Sequence, residues 1–266
     1  MLCLLPFLHS DPSSTVPSGA ELLSRSSGAD SPFVQEVSSP EPTYPDVHGK
    51  VTLGASDSFG NTEIRSASLN SEATLRLNDT DRVTGGFDWF YSEEKDSLTK
   101  QRTLQQRRVR GFGQYDRFLN ERLYLYARLD AQGDGKQQLK IRAVGTVGGG
   151  YQLWEEDSSS WRVEIGLAYT HEDFKLQPAD EFVSGRLATK YSRKMTGDLS
   201  YDLSLEWLPG FEDPDDQLAL GAQELGLSFG KGFVSTLRHE FDYDNTPGAG
   251  KERLDQRIIM TLGYTF

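Results

Sequence analysis

Residues 258–266 read IIMTLGYTF, and they decide how the rest of the chain is interpreted. The positions counted back in steps of two from the last residue are all apolar: Phe266, Tyr264, Leu262, Met260 and Ile258. The positions between them are nearly all polar. Successive side chains of an extended chain point to opposite faces, so this period predicts a β-strand with one apolar face. A single strand of this kind also fits the core of a soluble β-sandwich, so the whole chain has to be considered.

The composition excludes two classes of protein. With 36% hydrophobic residues and a mean hydropathy of −0.55, the chain contains no internal run near the roughly 20 apolar residues of a membrane helix. A transmembrane barrel stays possible, because its strands need apolar residues only at alternate positions. The net charge of −12 argues against nucleic acid as a partner, since phosphates are neutralised by basic surface.

Three regions are distinguished along the chain. Residues 1–10, MLCLLPFLHS, have the short apolar run of a signal peptide without its usual basic start. Residues 11–47 are rich in Ser and Pro and lack periodicity, which predicts a disordered segment. Residues 48–266 form the predicted barrel. The single cysteine, Cys3, excludes an intramolecular disulfide and a metal site built from cysteines.

From residue 48 to the end, segments of alternating apolar and polar residues follow one another, separated by clusters of Gly, Asp, Asn, Pro and Ser. We count twelve segments, within a range of 10–14. One of them, near 218–229, has a slipped alternation that predicts a β-bulge. The fold class is therefore all-β, a single antiparallel up-and-down transmembrane β-barrel of about twelve strands.

The connectors between these segments differ by side. An even number of strands brings both chain ends to one side, where the connectors are short: 78–81, 117–122, 155–160, 193–198 and 230–232. Several on the other side are longer and more polar: 92–103, 173–181, 209–217 and 245–253. Short turns on one side and long loops on the other are typical of outer-membrane barrels.

Charged side chains follow the register opposite to the apolar one. They are Glu72, Arg76, Asp88, Arg108, Arg110, Arg128, Asp130, Arg142, Arg162, Glu164, Arg186, Lys190, Asp202, Glu206, Arg238, Glu240, Asp242 and Arg257. In a soluble barrel they would face water. In a membrane they must face the lumen, because each Arg or Lys on the lipid face near the midplane costs about 2–4 kcal/mol. Balanced charges of both signs predict a narrow or occluded pore without strong ion selectivity.

Several longer motifs resemble one family. They are the turn Gly60-Asn61-Thr62, YDRFLNERLYLYAR (115–128), GGGYQL (148–153), LEWLPGFED (205–213) and FDYDNTPGAGKERLDQRIIMTLGYTF (241–266). In this order and spacing they resemble the DUF481 family of outer-membrane β-barrels over about 51–266. Some members carry the label of salt-induced outer-membrane protein. The resemblance implies the fold, the outer membrane as location and a link to salt or osmotic stress, but no reaction, ligand or catalytic residue.

Signs of enzymatic or metal chemistry are weak. His171 and His239 lack the His-x-Ser spacing of barrel phospholipases, so an exposed or interfacial histidine is the favoured interpretation. The acidic runs 93–96 and 212–216 have oxygen ligands suited to Ca²⁺ or Mg²⁺ but lack EF-hand spacing, which favours solvated loops. Gly148–Gly150 lies within a strand pattern, which favours relief of crowding over a phosphate loop.

The sequence thus predicts a structural or narrow-pore barrel in the outer membrane of a Gram-negative-type bacterium, with no cofactor and no catalytic activity. The alternatives are an outer-membrane lipid-modifying enzyme and a soluble lipocalin-like binder. Expected partners are outer-membrane lipids and lipopolysaccharide, periplasmic chaperones and the barrel assembly machinery, with the barrel itself a monomer. The last strand is expected to pair with the first, and Leu262, Tyr264 and Phe266 are expected to form the assembly signal.

Overall fold

The computed structural model describes residues 44–58, 63–95, 101–213, 215–247 and 250–266. They form twelve β-strands: β1 (Asp46–Ser58), β2 (Glu63–Arg76), β3 (Asp81–Lys95), β4 (Arg102–Phe118), β5 (Leu123–Asp134), β6 (Leu139–Glu156), β7 (Ser159–Phe174), β8 (Asp180–Lys194), β9 (Leu199–Pro209), β10 (Gln217–Ser228), β11 (Phe233–Asp244) and β12 (Leu254–Thr265). Among these residues, no helix is long and apolar enough to cross a membrane. The predicted signal peptide (1–10), most of the predicted disordered segment (11–47) and the turn at 60–62 lie outside them.

The strands close into one antiparallel barrel in which each strand pairs with its neighbours in the chain. The closing pair joins β1 to β12, with Lys50–Leu53 opposite Leu262–Thr265. The predicted twelve-stranded up-and-down barrel is therefore confirmed. Closure satisfies the backbone N–H and C=O groups that the edges of an open sheet would leave unpaired.

The two ends of the barrel differ. The turn end carries the C-terminus and the connectors 77–80, 119–122, 157–158, 195–198 and 229–232; the loop end carries the others, including 175–179, 210–216 and 245–253. Strands reach further towards the loop end than the sequence predicted, since β3 continues to Lys95. Strand β1 also begins at Asp46 rather than at residue 48.

Asparagine side chains build two of the short turns. The Oδ1 atom of Asn78 accepts hydrogen bonds from the amides of Thr80 and Asp81, both at 2.8 Å. The Oδ1 atom of Asn120 accepts from the amides of Arg122 and Leu123 in the same way, at 2.9 and 2.8 Å. These side chains satisfy amides that have no partner in the ladder, which fixes where the chain reverses.

The outer surface is apolar and ends in aromatic residues. Ile165, Ile258 and Met260 are among its most exposed side chains. At the turn end, Trp161 lies 5.0 Å from Trp154 and 6.4 Å from Tyr191, measured between ring centroids. Aromatic belts of this kind mark the interfacial levels of membrane proteins.

The predicted bulge near 218–229 is wrong. β10 pairs without interruption with both β9 and β11. The alternation only seemed to slip because Leu218 and Leu220 are apolar residues on the charged face. Register shifts occur instead at Ser92/Glu93, Gln132/Asp134, Leu139/Ile141 and Gln152/Trp154. The last shift puts Trp154 opposite Trp161.

The glycine run of β6 makes room for inward aromatic rings. A Cβ atom on Gly150 would lie 2.2 Å from Cζ of Tyr124, and one on Gly148 would lie 2.8 Å from the hydroxyl oxygen of Tyr126. Relief of crowding, as predicted, explains these two glycines. A phosphate loop does not fit, because the run lies inside a strand.

Candidate functional site in the barrel lumen

The eighteen charged residues singled out from the sequence lie on one face of the barrel wall. Ion pairs on this face join strands that are not neighbours: Arg108 on β4 with Asp242 on β11, and Lys190 on β8 with Glu72 on β2. Strands on opposite sides of a closed barrel meet only through its interior. These side chains therefore occupy the lumen.

Buried ion pairs cross the lumen in the half towards the loop end. Asp242 pairs with Arg108 and, at 3.1 Å, with Arg257, which also pairs with Glu240 at 2.6 Å. Closer to the loops, Arg142 on β6 bridges Glu172 on β7 and Asp244 on β11. Long arginine side chains with paired carboxylates thus reach across this half of the bore.

Further cross-lumen pairs lie nearer the turn end and midway along the barrel. Nζ of Lys50 on β1 lies 2.5 Å from Glu224 and 3.5 Å from Asp202. Arg110 on β4 contacts Asp130 at 3.1 Å and Glu206 on β9 at 3.6 Å. Pairing is needed here, because an uncompensated buried charge costs several kcal/mol.

Inward aromatic rings line one wall near the turn end. The buried Phe118, Tyr124 and Tyr126 pack together, and the guanidinium of Arg82 lies 4.8 Å from the ring centroid of Phe118. The Tyr124 hydroxyl donates to Glu164 at 2.8 Å. Sequence reasoning missed these residues. The signal was the run LYLY at 123–126, in which both faces are apolar.

A second inward apolar cluster lies towards the loop end and comprises Val144, Ala168, Phe182, Leu208 and Leu218. It spans five consecutive strands, β6 to β10. The sequence pattern predicts no apolar group in the lumen, so this cluster is not predicted either. With the Arg142 ion pairs, it projects into the loop half of the bore.

A cavity of about 620 Å³ lies in the lumen. Its lining begins at the turn end with residues such as His48, Ser192 and Lys194, and reaches the level of Arg108 and Asp242. We call it the vestibule. It opens towards the turn end and ends against the ion pairs of the loop half.

The histidines and acidic loops show no assembled catalytic or metal site within the described residues. His171 contacts Glu181 at 3.0 Å, and His239 lies between Gln223 and Gln256 at 3.1 and 3.2 Å. No group of three or more His, Cys, Asp or Glu residues in that part of the chain is arranged to hold a metal ion. Partial burial, together with the charge of Asp213, raises the pKa of Asp216 in the loop after β9.

The three residues expected to form the assembly signal lie on the outer surface beside the closing seam. Leu262, Tyr264 and Phe266 are all exposed. The Tyr264 ring packs edge-on against Phe233, with centroids 5.6 Å apart. A Cβ atom on Gly49 would lie 2.4 Å from the Phe266 ring, so this glycine makes room for the terminal side chain.

A closed twelve-stranded antiparallel barrel, apolar outside and filled with paired charges inside, has the fold of an outer-membrane β-barrel. The chain belongs to the family described as "Protein of unknown function, DUF481", whose model matches residues 51–266. No curated protein matches the chain in sequence.

Several solved barrels are similar in structure. The translocator domain of the autotransporter NalP from Neisseria meningitidis is 12% identical with a TM-score of 0.42, covering 83% of this chain and 87% of that one. The NanC porin is 7% identical with a TM-score of 0.48, covering 82% and 98%. The KdgM porin is 9% identical with a TM-score of 0.40, covering 83% and 99%. At such identities and TM-scores, they say nothing of what this chain binds or transports.

Proposed function

We propose that this protein is a barrel of the outer membrane of a Gram-negative-type bacterium, with a structural or narrow-pore role and no catalytic activity. The observation that carries the proposal is the contrast between the two faces of one wall. Side chains such as Leu129, Ile165 and Ile258 are exposed outside, while Arg108, Arg142 and Arg186 are buried inside.

The soluble alternative does not explain this contrast. Monomeric soluble proteins rarely expose contiguous apolar patches larger than a few hundred Å². A soluble lipocalin-like binder would also need an apolar interior, whereas this lumen is crossed by ion pairs. In a bilayer the exposed apolar surface contacts lipid, and water within the lumen solvates the charged side chains.

The pore is narrow because side chains fill most of the lumen. Twelve strands enclose more space than eight, whose interior side chains fill, and less than sixteen, which leave a channel. The Arg108 and Arg142 ion pairs and the apolar cluster around Phe182 project into the loop half, which supports a narrow bore. Small solutes or ions pass only when these pairs rearrange.

The remaining parts of the proposal follow from the outer-membrane location. The turn end faces the periplasm, the partners are outer-membrane lipids and lipopolysaccharide, and delivery uses periplasmic chaperones and the barrel assembly machinery. The barrel acts as a monomer. The link to salt or osmotic stress rests on the family resemblance alone.

Membrane fractionation combined with gel migration of unheated and heated samples tests the location. We expect the protein in the outer-membrane fraction, with a folded band that shifts on heating. Recovery in the aqueous fraction would overturn the proposal. Release of fatty acid from labelled phospholipid, lost in His171→Ala or His239→Ala, would instead establish the lipid-modifying alternative.

A further inference from the structure

Two half-buried, opposite charges in the vestibule wall lack a hydrogen-bonded counter-charge among the described residues; Lys194, at the exposed rim, has none either. The two half-buried charges are Asp88 on β3 and Arg162 on β7. Most other charges that line it are held in ion pairs within hydrogen-bond distance. These two side chains can therefore still pair with charged groups of a ligand in the vestibule.

Asp88 has no hydrogen bond and no ion pair within the described part of the chain, although it faces the lumen between Asn70 and Arg110 in the strand register. Nδ2 of Asn70 is buried and likewise without a hydrogen-bond partner there. A partly buried carboxylate needs a counter-charge or hydrogen bonds to stay ionised at low cost. Asp88 therefore forms an acidic subsite that can accept hydrogen bonds from a ligand, whereas the buried Nδ2 of Asn70 is out of reach of one.

Arg162 is the second subsite. Its Nε lies 3.8 Å from Oε1 of Glu164, beyond hydrogen-bond distance. Glu164 already accepts hydrogen bonds from Gln114, Tyr124 and Arg186 at 2.7–2.9 Å. The Arg162 side chain is 18% exposed, so its donors remain open towards the vestibule.

The ion-pair networks of the lumen explain why these two charges are left over. One network runs from Lys50 to Arg108 and joins four cations to four carboxylates. A second joins Arg110, Arg128, Arg162 and Arg186 to only three carboxylates, Asp130, Glu164 and Glu206. The second network has one positive charge in excess, and Asp88 supplies the matching negative charge without contacting it.

We infer that the vestibule binds a small zwitterionic solute, with its ammonium group at Asp88 and its carboxylate at Arg162. A monopolar cation or anion satisfies one subsite and leaves the other charge uncompensated. Binding requires only the folded barrel with its vestibule open at the turn end, so the site does not depend on conduction.

Titration of the refolded full-length chain in uncharged detergent micelles, followed by nuclear magnetic resonance, tests the inference. The probes are ω-amino acids from glycine to 6-aminohexanoate, compared with alkylammonium and carboxylate ions of the same chain lengths. Charge-assisted hydrogen bonds are each worth about tenfold or more in affinity. At least one zwitterion should therefore bind about tenfold more tightly than both of its monopolar counterparts.

Two variants assign the ends of the ligand. Asp88→Asn should remove the advantage over the carboxylate ion, and Arg162→Gln the advantage over the ammonium ion. Asp202→Asn is the matched control, because Asp202 lines the same vestibule and its partner Lys50 retains Glu224. This control should preserve the zwitterion preference.

Heat-modifiable gel migration establishes that each variant is folded; if either fails to fold, the probe series on the unaltered protein decides. Equal affinities for zwitterionic and monopolar probes would overturn the inference. A folded Asp88→Asn variant with an unchanged preference would do so as well. Selective binding of a zwitterion without any ionic current would support this site and contradict the narrow-pore role.

Discussion

Arg108 on β4 and Asp242 on β11 are ion-paired across the barrel, although β3, β2, β1 and β12 separate their strands along the wall. Both side chains are buried. The pair therefore ties opposite walls together inside the bore. This contact can form only when the barrel is closed, and it also reaches across the lumen.

A double-mutant cycle measures that tie. Asp242→Asn leaves the buried charge of Arg108 uncompensated, which typically costs about 3–5 kcal/mol, whereas Arg108→Gln leaves Asp242 its second partner, Arg257. We expect Arg108→Gln and Asp242→Asn to show a coupling free energy of unfolding of about 2 kcal/mol in denaturant titrations. The exposed pair Arg65–Asp57, at 2.8 Å, is the control and should give about 0–1 kcal/mol. Additive effects at the buried pair would contradict the expectation.

Leu129 and Leu176 offer a matched test of what surrounds the barrel. Both are 72% exposed, but Leu129 lies on the outer surface of β5 and Leu176 in the loop after β7. In a bilayer, Leu129→Arg should destabilise the barrel by about 2–4 kcal/mol and Leu176→Arg by less than about 0.5 kcal/mol. Denaturant titration in lipid vesicles checks this. Equal small effects would favour a soluble barrel.

Substitution of Phe266 should distinguish an effect on assembly in cells from an effect on the stability of the folded barrel. The backbone of this residue exchanges hydrogen bonds of 2.9 and 3.0 Å with Gly49, so deletion removes closing bonds as well as the ring. Phe266→Ala keeps the backbone bonds, and we expect it to lower the yield of assembled barrel in cells severalfold while changing unfolding by about 1 kcal/mol. Deletion should likewise reduce assembly more than it reduces the stability of folded barrels.

The control for that comparison is Phe233→Ala. Phe233 lies at the same end on the neighbouring strand and is 53% exposed, against 54% for Phe266. It should assemble nearly as well as the unaltered chain. Equal assembly yields for the Phe266 and Phe233 variants would argue against a terminal assembly signal.

The closing seam should be the first part of the wall to open. β1 and β12 pair over four residues each in the described structure, whereas β1 and β2 pair from Asp46 to Ser58. Amides that lack a ladder partner exchange faster with solvent. In the part of β12 that precedes Leu262, the amides that point to β1 should exchange at least about tenfold faster than the amides that point to β11. Uniform protection along both sides of β12 would contradict this.

The sequence predicted the strands because the alternation of apolar and polar residues is local information. Ile258 to Phe266 show their two faces without any knowledge of the neighbouring strands. The same rule located Arg108 and Asp242 on the polar face. It could not show that they contact each other, because their distance depends on closure of the whole barrel.

Three features lay beyond local patterns. The inward rings of Tyr124 and Tyr126 need the space left by glycines 148 and 150 on the neighbouring strand, so the pattern of either strand alone does not predict them. Leu218 indicates a slipped register only if every side chain in the lumen is expected to be polar. The surplus charges at Asp88 and Arg162 emerge only from the complete ion-pair networks, which no single strand contains.

Single-channel current in planar bilayers tests the central claim most directly. The unaltered protein should give openings of small conductance, and the Arg108→Gln/Asp242→Asn protein, with the cross-lumen pair removed, should conduct at least about twice as much. Refolded protein checked by heat-modifiable migration is used for both. No openings from either protein, or a large conductance that the double substitution leaves unchanged, would contradict a narrow pore closed by ion pairs.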